Sequence, residues 1–262
     1  MLSKPAMTLD RVLSRFGLAS RTAARDAILA GRMKVNGRTV RDPGTWVRPG
    51  CDTLQLDGRR LNPARIRYLL FYKPKGVVTS HGDPEGRETI YKYVQKAASE
   101  TISTRRGLKH SPTASDGWLA PVGRLDKDSS GLLLLTNDTE FANFITSPES
   151  GITKTYLVKV NALLSDEVIT QLDAGVEMKR GDLARPLSVR RREDRGKYTW
   201  LDVVLTEGKN REVRRMIEAL GFKVLKLVRT RIGSLTLDGL QPGGWRELTS
   251  AEHSSLRDGR VR

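Results

Sequence analysis

The sequence predicts an α+β protein: a small two-helix module closed by a basic β-hairpin, then a larger domain rich in strands. Three observations predict it. Leu9, Val12, Leu13 and Phe16 recur at the i, i+3, i+4, i+7 spacing of one helix face. Met33-Lys34-Val35 and Arg38-Thr39-Val40 flank Asn36-Gly37, a strong two-residue hairpin signal. Beyond residue 67 the strand and helix patterns do not alternate regularly, which argues against a doubly wound parallel sheet.

In the module, Gly17 ends the first helix. Ser20 is placed to cap a second helix over 21–30, and Gly31 lies past its end. Ala23, Ala24, Ala27 and Ile28 form its apolar face. Arg21 and Arg25 stand one turn apart on another face, where they can reach successive phosphates. Cys51 is expected to be a small buried residue near the module's end. The string GRRLNPARIR at 58–67 lacks periodicity and reads as a linker. The expected division is a module over 7–60, a linker over 61–67, a larger domain over 68–250 and a frayed basic tail over 251–262.

The larger domain opens with a buried strand at 68–72, stopped by Lys73-Pro74-Lys75-Gly76. Residues 97–117, rich in Ser, Thr and basic side chains, read as a mobile insertion or loop. Strands are expected at 132–135, 156–160, 200–205, 224–228 and 235–237. Helices are expected at 139–146, 166–173 and 210–220. Ser165 caps the second and Asn210 the third, whose core stripe is Val213, Met216, Ile217 and Leu220.

Composition narrows the function. The 262 residues hold 46 Lys and Arg against 30 Asp and Glu, a formal charge of +16. Residues 1–60 hold 12 basic and 5 acidic side chains, so net positive charge is densest there. Such a balance points to nucleic acid more than to membrane. A single cysteine excludes a disulfide framework or a cysteine zinc site, and three dispersed histidines argue against a histidine metal cage or a Ser-His-Asp apparatus. No apolar run reaches a membrane span, and the first 30 residues lack a signal core, so a cytoplasmic protein is expected.

The string LDRVLSRFGLASRTAARDAILAGRMKVNGRTV resembles the S4 RNA-binding domain over roughly residues 7–54. The resemblance makes Arg15, Arg21, Arg25, Arg32 and Lys34 the candidate RNA contacts. Further on, PVGRLDKDSSGLLLLTND resembles the catalytic motif of the RsuA-type ribosomal RNA pseudouridine synthases. YLLFYKPKGVVTS, KTYLVKV, LTEGKNREVRRMIEALG and RTRIGSLTLDGLQPGGWRELT fit the same family in order. The resemblance implies a mixed, mainly antiparallel sheet flanked by helices. It implies isomerisation of a uridine in ribosomal RNA, the large subunit preferred over the small, with no cofactor and no metal. Its partner would be ribosomal RNA or a ribosome assembly intermediate, bound by a monomer.

The resemblance assigns the catalytic carboxylate to Asp126. Taken alone, an aspartate in such a loop also fits a turn former. A carboxylate suits glycosidic cleavage as nucleophile or as stabiliser of positive charge on the sugar. Arg214 matches the family's basic partner, with Arg215 as the fallback. Tyr156 matches the tyrosine that packs on the flipped uracil, although a core aromatic fits the same pattern. Arg124 is expected to assist extrusion of the nucleotide or to hold a phosphate, and Lys154 and Lys209 to contact phosphates. Two other readings stay open: a non-catalytic RNA-binding or ribosome-assembly factor, and a DNA-binding regulator.

Overall fold

The computed structural model describes residues 6–15, 21–49, 51–61, 65–80, 82–94, 119–178 and 182–258. The expected loop at 97–117 and the expected cap Ser20 lie outside the described residues, as do the side chains of Arg15 and Arg21. The chain divides into two compact units, one of residues 1–68 with 95–120 and 135–139, the other of 69–94, 121–134 and 140–262.

The first unit holds helices α1 (Leu9–Arg15) and α2 (Arg21–Leu29). Strands β1 (Met7–Thr8) and β4 (Trp46–Val47) pair antiparallel. A four-stranded sheet runs in the order β3-β2-β5-β6, from β2 (Met33–Val35), β3 (Arg38–Val40), β5 (Leu54–Leu56) and β6 (Arg59–Arg60). Leu9, Val12, Leu13, Ala24, Ile28, Met33, Val47 and Leu54 form its core. Asn36 and Gly37 both take positive φ, 50° and 81°, the twist that a two-residue turn needs to join right-twisted strands. Asp57-Gly58 repeats this geometry between β5 and β6, so the segment read as a linker from residue 58 begins as a hairpin arm. The Asp-Gly signal was present in the sequence, but β6 is two arginines with no apolar alternation. Ala23 is exposed. Cys51 is exposed as well, because it sits in a turn whose N–H donates to the Arg48 carbonyl at 3.0 Å. The end of the expected linker is tied down. The Arg67 N–H donates to Asn137 Oδ1, Thr136 Oγ1 donates to the Arg67 carbonyl, and Asn137 Nδ2 donates to the Arg65 carbonyl.

The second unit is built on a mixed sheet in the order β13-β14-β10-β15-β9-β7-β17. Its strands are β7 (Tyr68–Lys73), β9 (Ser130–Thr136), β10 (Lys154–Val160), β13 (Ser188–Arg195), β14 (Tyr198–Leu205), β15 (Val224–Ile232) and β17 (Trp245–Glu247). Short strands β8 (Ala120–Val122) and β16 (Leu235–Thr236) flank β9 and β15, and β11 (Val176–Glu177) and β12 (Leu183–Ala184) pair with each other, antiparallel. Strands β13, β14, β10 and β15 pair antiparallel, while β15 and β9 pair parallel. Gly131 makes the parallel pairing possible. A Cβ there would stand 2.3 Å from the Arg229 carbonyl oxygen, so only glycine lets the strands approach.

Helices α3 (Thr139–Thr146), α4 (Asp166–Ala174), α5 (Glu212–Ala219) and α6 (Ser250–Arg257) complete the unit. Ser165 caps α4 by accepting from the Val168 N–H, as expected. At α5 the expectation fails. The cap is Arg211, in the left-handed region at φ 50°, and it makes no side-chain cap bond. Instead Glu212 turns back and its Oε2 accepts from the Lys209 N–H at 2.9 Å. The expected frayed tail is largely α6, held by a reciprocal Thr249–Glu252 capping box and by the burial of Leu256. Strand β13 was missed because only Val189 on it is buried. Pairing with β14 makes it a strand, and its arginine triplet occupies a solvated edge.

Alternation along β10 and β14 sends Tyr156, Val158, Val160, Leu201, Val203 and Leu205 into one core with Val213, Met216, Ile217 and Leu227. The stripe of α5 packs there, which brings residues 209–212 to the sheet at the level of Tyr156.

Candidate active site

A cavity of about 370 Å³ opens on the core side of the sheet, within the usual range of small-ligand pockets. Asp126, Tyr156, Arg211 and Arg229 line it, as do three of the expected RNA contacts, Arg124, Lys154 and Lys209. Arg214 is absent from its wall.

The loop that presents Asp126 has every carbonyl from residue 125 to 129 engaged. The Leu125 carbonyl accepts from Thr79 Oγ1 at 2.8 Å. The Asp126 carbonyl accepts from the Ser129 N–H at 3.0 Å, and that of Lys127 from the Gly76 N–H at 2.7 Å. The Asp128 carbonyl accepts from Arg214 Nη2 at 3.1 Å. The Ser129 carbonyl accepts from Lys73 Nζ at 2.8 Å. Five successive anchors hold the backbone while the carboxylate stays one-third exposed. A carboxylate fixed on a rigid frame but open to the cavity is suited to chemistry on a bound ligand.

Two arginines approach this loop differently. Arg211 Nη1 stands 3.7 Å from Asp126 Oδ2. Arg214 is 7% exposed and bridges the carbonyls of Asp128 and Val224. The expected contact between Arg214 and the carboxylate is therefore replaced by a backbone bridge, and the nearer cation is Arg211, which the sequence reading missed. Burial, helped by the Arg211 charge, pushes the Arg214 guanidinium below its usual range, with Asp126 opposing. The fallback Arg215 pairs with Asp182 at 3.0 Å.

Tyr156 is 8% exposed, opposite Val203 on β14 and Arg229 on β15. It is both a core aromatic and a cavity wall. Arg229 donates from Nε to the Leu132 carbonyl at 2.7 Å, tying β15 to β9. Lys154 is not a surface lysine: it is buried, its Nζ donates to the Thr206 carbonyl at 3.1 Å, and burial lowers its pKa. Lys209 pairs with Glu207 at 2.8 Å, and Arg124 is exposed. Glu212 is buried, which raises its pKa. Lys73 is fully buried, and burial brings it down to about 8 despite Asp126 and Asp128.

The remaining expected contacts lie in the first unit. Arg25 and Lys34 are exposed. Arg32 is engaged by Asp57, with Nε 2.9 Å from Oδ1. The missed residues left faint signals. Lys73 closes an otherwise buried strand pattern, and Arg211 precedes the first apolar residue of an amphipathic helix.

Comparison with known proteins gives the family. Residues 67–219 match the family described as RNA pseudouridylate synthase, and residues 7–52 match the S4 domain. The chain is 37% identical over 250 residues to "Ribosomal large subunit pseudouridine synthase B" of Bacillus subtilis (strain 168), covering 95% of each. It is 38% identical to the protein of the same name from Yersinia pestis, covering 95% of this chain and 75% of that one. Among solved structures, a pseudouridylate synthase crystal structure superposes with a TM-score of 0.64 at 28% identity, covering 95% of this chain and 99% of that one. No helix among the described residues is long and apolar enough to cross a membrane. On these matches the chain belongs to the RNA pseudouridylate synthase family and carries an S4 domain at its N-terminal end.

Proposed function

We propose that this protein converts a uridine of large-subunit ribosomal RNA to pseudouridine, with Asp126 acting on the target nucleotide. The observation that carries this reading is the Asp126 loop, anchored at five successive carbonyls and presenting its carboxylate beside Arg211 in a cavity walled by Tyr156. Breaking the bond between ribose C1′ and uracil N1 develops positive charge on the sugar, which a carboxylate offsets. The uracil then turns and bonds to C1′ through C5. C5 loses a proton and N1 gains one, so the reaction consumes no co-substrate.

In this reading Tyr156 stacks on the extruded base, and its hydroxyl is the candidate for moving the C5 proton. Arg211 orients the Asp126 carboxylate. Arg214 acts through the loop backbone, as a positioning residue. Arg124 and Lys209 meet phosphates at the cavity rim. The S4 unit grips folded RNA through Arg25 and Lys34, while Arg32 is held by Asp57. The protein acts as a monomer in the cytoplasm, on ribosomal RNA or an assembly intermediate.

The test is incubation of the purified protein with separate transcripts of the large- and small-subunit RNAs, followed by pseudouridine mapping. One modified uridine in the large-subunit transcript is expected. Modification of the small-subunit transcript alone would overturn the choice of subunit, and modification of neither would overturn ribosomal RNA as a sufficient substrate.

A further inference from the structure

The face of the sheet opposite the cavity carries a row of cations held by aromatic rings. The side chains of Tyr156, Val158 and Val160 point into the core, so Lys159 on β10 points the other way, as do Tyr198 and Trp200 on β14. Lys159 Nζ lies 3.9 Å from the centre of the Tyr198 ring and 5.6 Å from that of Trp200. Lys226 Nζ lies 5.8 Å from the Trp200 ring, and Lys197 Nζ 5.7 Å from the Tyr198 ring.

The register makes this row unusual. Lys159 is directly opposite Lys226 on β15 and directly opposite Trp200 on β14. Like charges facing each other across a strand pair repel, so this placement weakens the sheet unless an anion joins them. Two lysines elsewhere are neutralised locally, Lys92 by Glu88 and Lys209 by Glu207. Lys159, Lys197 and Lys226 have no carboxylate within salt-bridge distance among the described residues. An aromatic ring fixes an ammonium in place without cancelling its charge. Arg190 and Arg192 extend the patch along β13, where Asp202 pairs with Arg192 at 3.3 Å and Glu193 lies opposite Trp200.

We propose that this outer face of β10, β14 and β15 is a second RNA-binding surface. There Lys159, Lys197 and Lys226 bind backbone phosphates of the substrate RNA outside the catalytic cavity. Charge sign selects a polyanion, and RNA is the polyanion this family acts on. Ammonium groups gathered around two neighbouring rings suit successive phosphates. The surface extends the footprint beyond the target nucleotide, so it favours long RNA over a short fragment and leaves the chemistry untouched.

The test uses the full chain and takes its RNA from the large-subunit reading above. Binding is measured for the full-length large-subunit transcript and for a short stem–loop cut from it around the modified uridine. Against wild type, the Lys159→Gln/Lys226→Gln variant is expected to bind the long transcript about tenfold more weakly at physiological salt, with its log–log salt slope reduced by about 2. Its stem–loop affinity and its kcat should be unchanged. Lys92→Gln, a lysine already paired with Glu88, serves as the control for charge loss and should lose nothing. Equal affinity of wild type and the double variant for the long transcript would overturn the proposal and leave an acidic protein as the occupant. Equal losses on long and short RNA would also overturn it, by making the effect non-local. Absence of product from wild type on either RNA would instead contradict the choice of substrate, a separate failure.

Discussion

The Arg211 guanidinium faces the Asp126 carboxylate at 3.7 Å, whereas Arg214, three residues on, holds the same loop by the carbonyl of Asp128 at 3.1 Å. The first arginine is exposed enough to move with a ligand. The second is buried and bridges two backbone carbonyls, so it acts as part of the frame.

That division predicts opposite phenotypes. Arg211→Ala removes an exposed ion pair, so stability should change by less than about 1 kcal/mol. Its turnover should fall at least tenfold, because it is the cation nearest Asp126. Arg214→Ala removes the side-chain bonds to the Asp128 and Val224 carbonyls and should cost about 1–3 kcal/mol of stability along with activity. Urea unfolding and single-turnover assays separate the two. Equal destabilisation by both substitutions would contradict the assignment.

Lys73 gives a pH signature. Its native pKa is about 8, lowered by burial, against 10.5 in the open chain. Below pH 8 both states are protonated and the burial penalty is constant. Between pH 8 and 10.5 the unfolded chain holds a proton that the native chain has released, so this group's contribution to stability rises with pH. Wild type should therefore gain up to about 3 kcal/mol relative to Lys73→Met across that window. Unfolding curves at several pH values check this, and a constant gap between the two proteins would refute it.

Tyr156 combines two roles that substitution separates. Tyr156→Phe keeps the ring and should hold KM near wild type while lowering kcat if the hydroxyl moves the C5 proton. Tyr156→Leu removes the ring as well and should add a binding loss of about 1–3 kcal/mol. Unaltered turnover in Tyr156→Phe would exclude the hydroxyl from proton transfer.

The division of the chain is testable by truncation. A chain beginning at residue 61 retains the Arg65 and Arg67 bonds to Asn137. It should fold cooperatively and bind ribosomal RNA at least tenfold more weakly at physiological salt, having lost the module with the densest positive charge. An unfolded remainder in circular dichroism would contradict that boundary.

Much of this was legible in sequence for physical reasons. Asn36-Gly37 admits one hairpin geometry, and the alternation of KTYLVKV fixes which side of β10 meets the core. The resemblance points to Asp126, Tyr156 and Arg214, and Tyr156 lies where its strand pattern puts it, on the core face of β10. What was illegible depended on contacts distant in sequence. Arg211 approaches Asp126 from a left-handed backbone at the start of α5, and no periodicity encodes that placement. The bond from Lys73 to Ser129 spans 56 residues. Strand β13 is defined by its partner. Helix α6 was overlooked although Thr249 and Glu252 have capping-box spacing, because only Leu256 is buried in its short run.

In the proposed reaction an anchored Asp126 isomerises a uridine in ribosomal RNA. The most direct test maps pseudouridines in total ribosomal RNA from cells lacking the protein, rescued by wild type or by Asp126→Ala. One position is expected to lose its modification and to regain it with wild type only, although the Asp126→Ala protein binds RNA within a few fold of wild type. Restoration of that position by Asp126→Ala would contradict it.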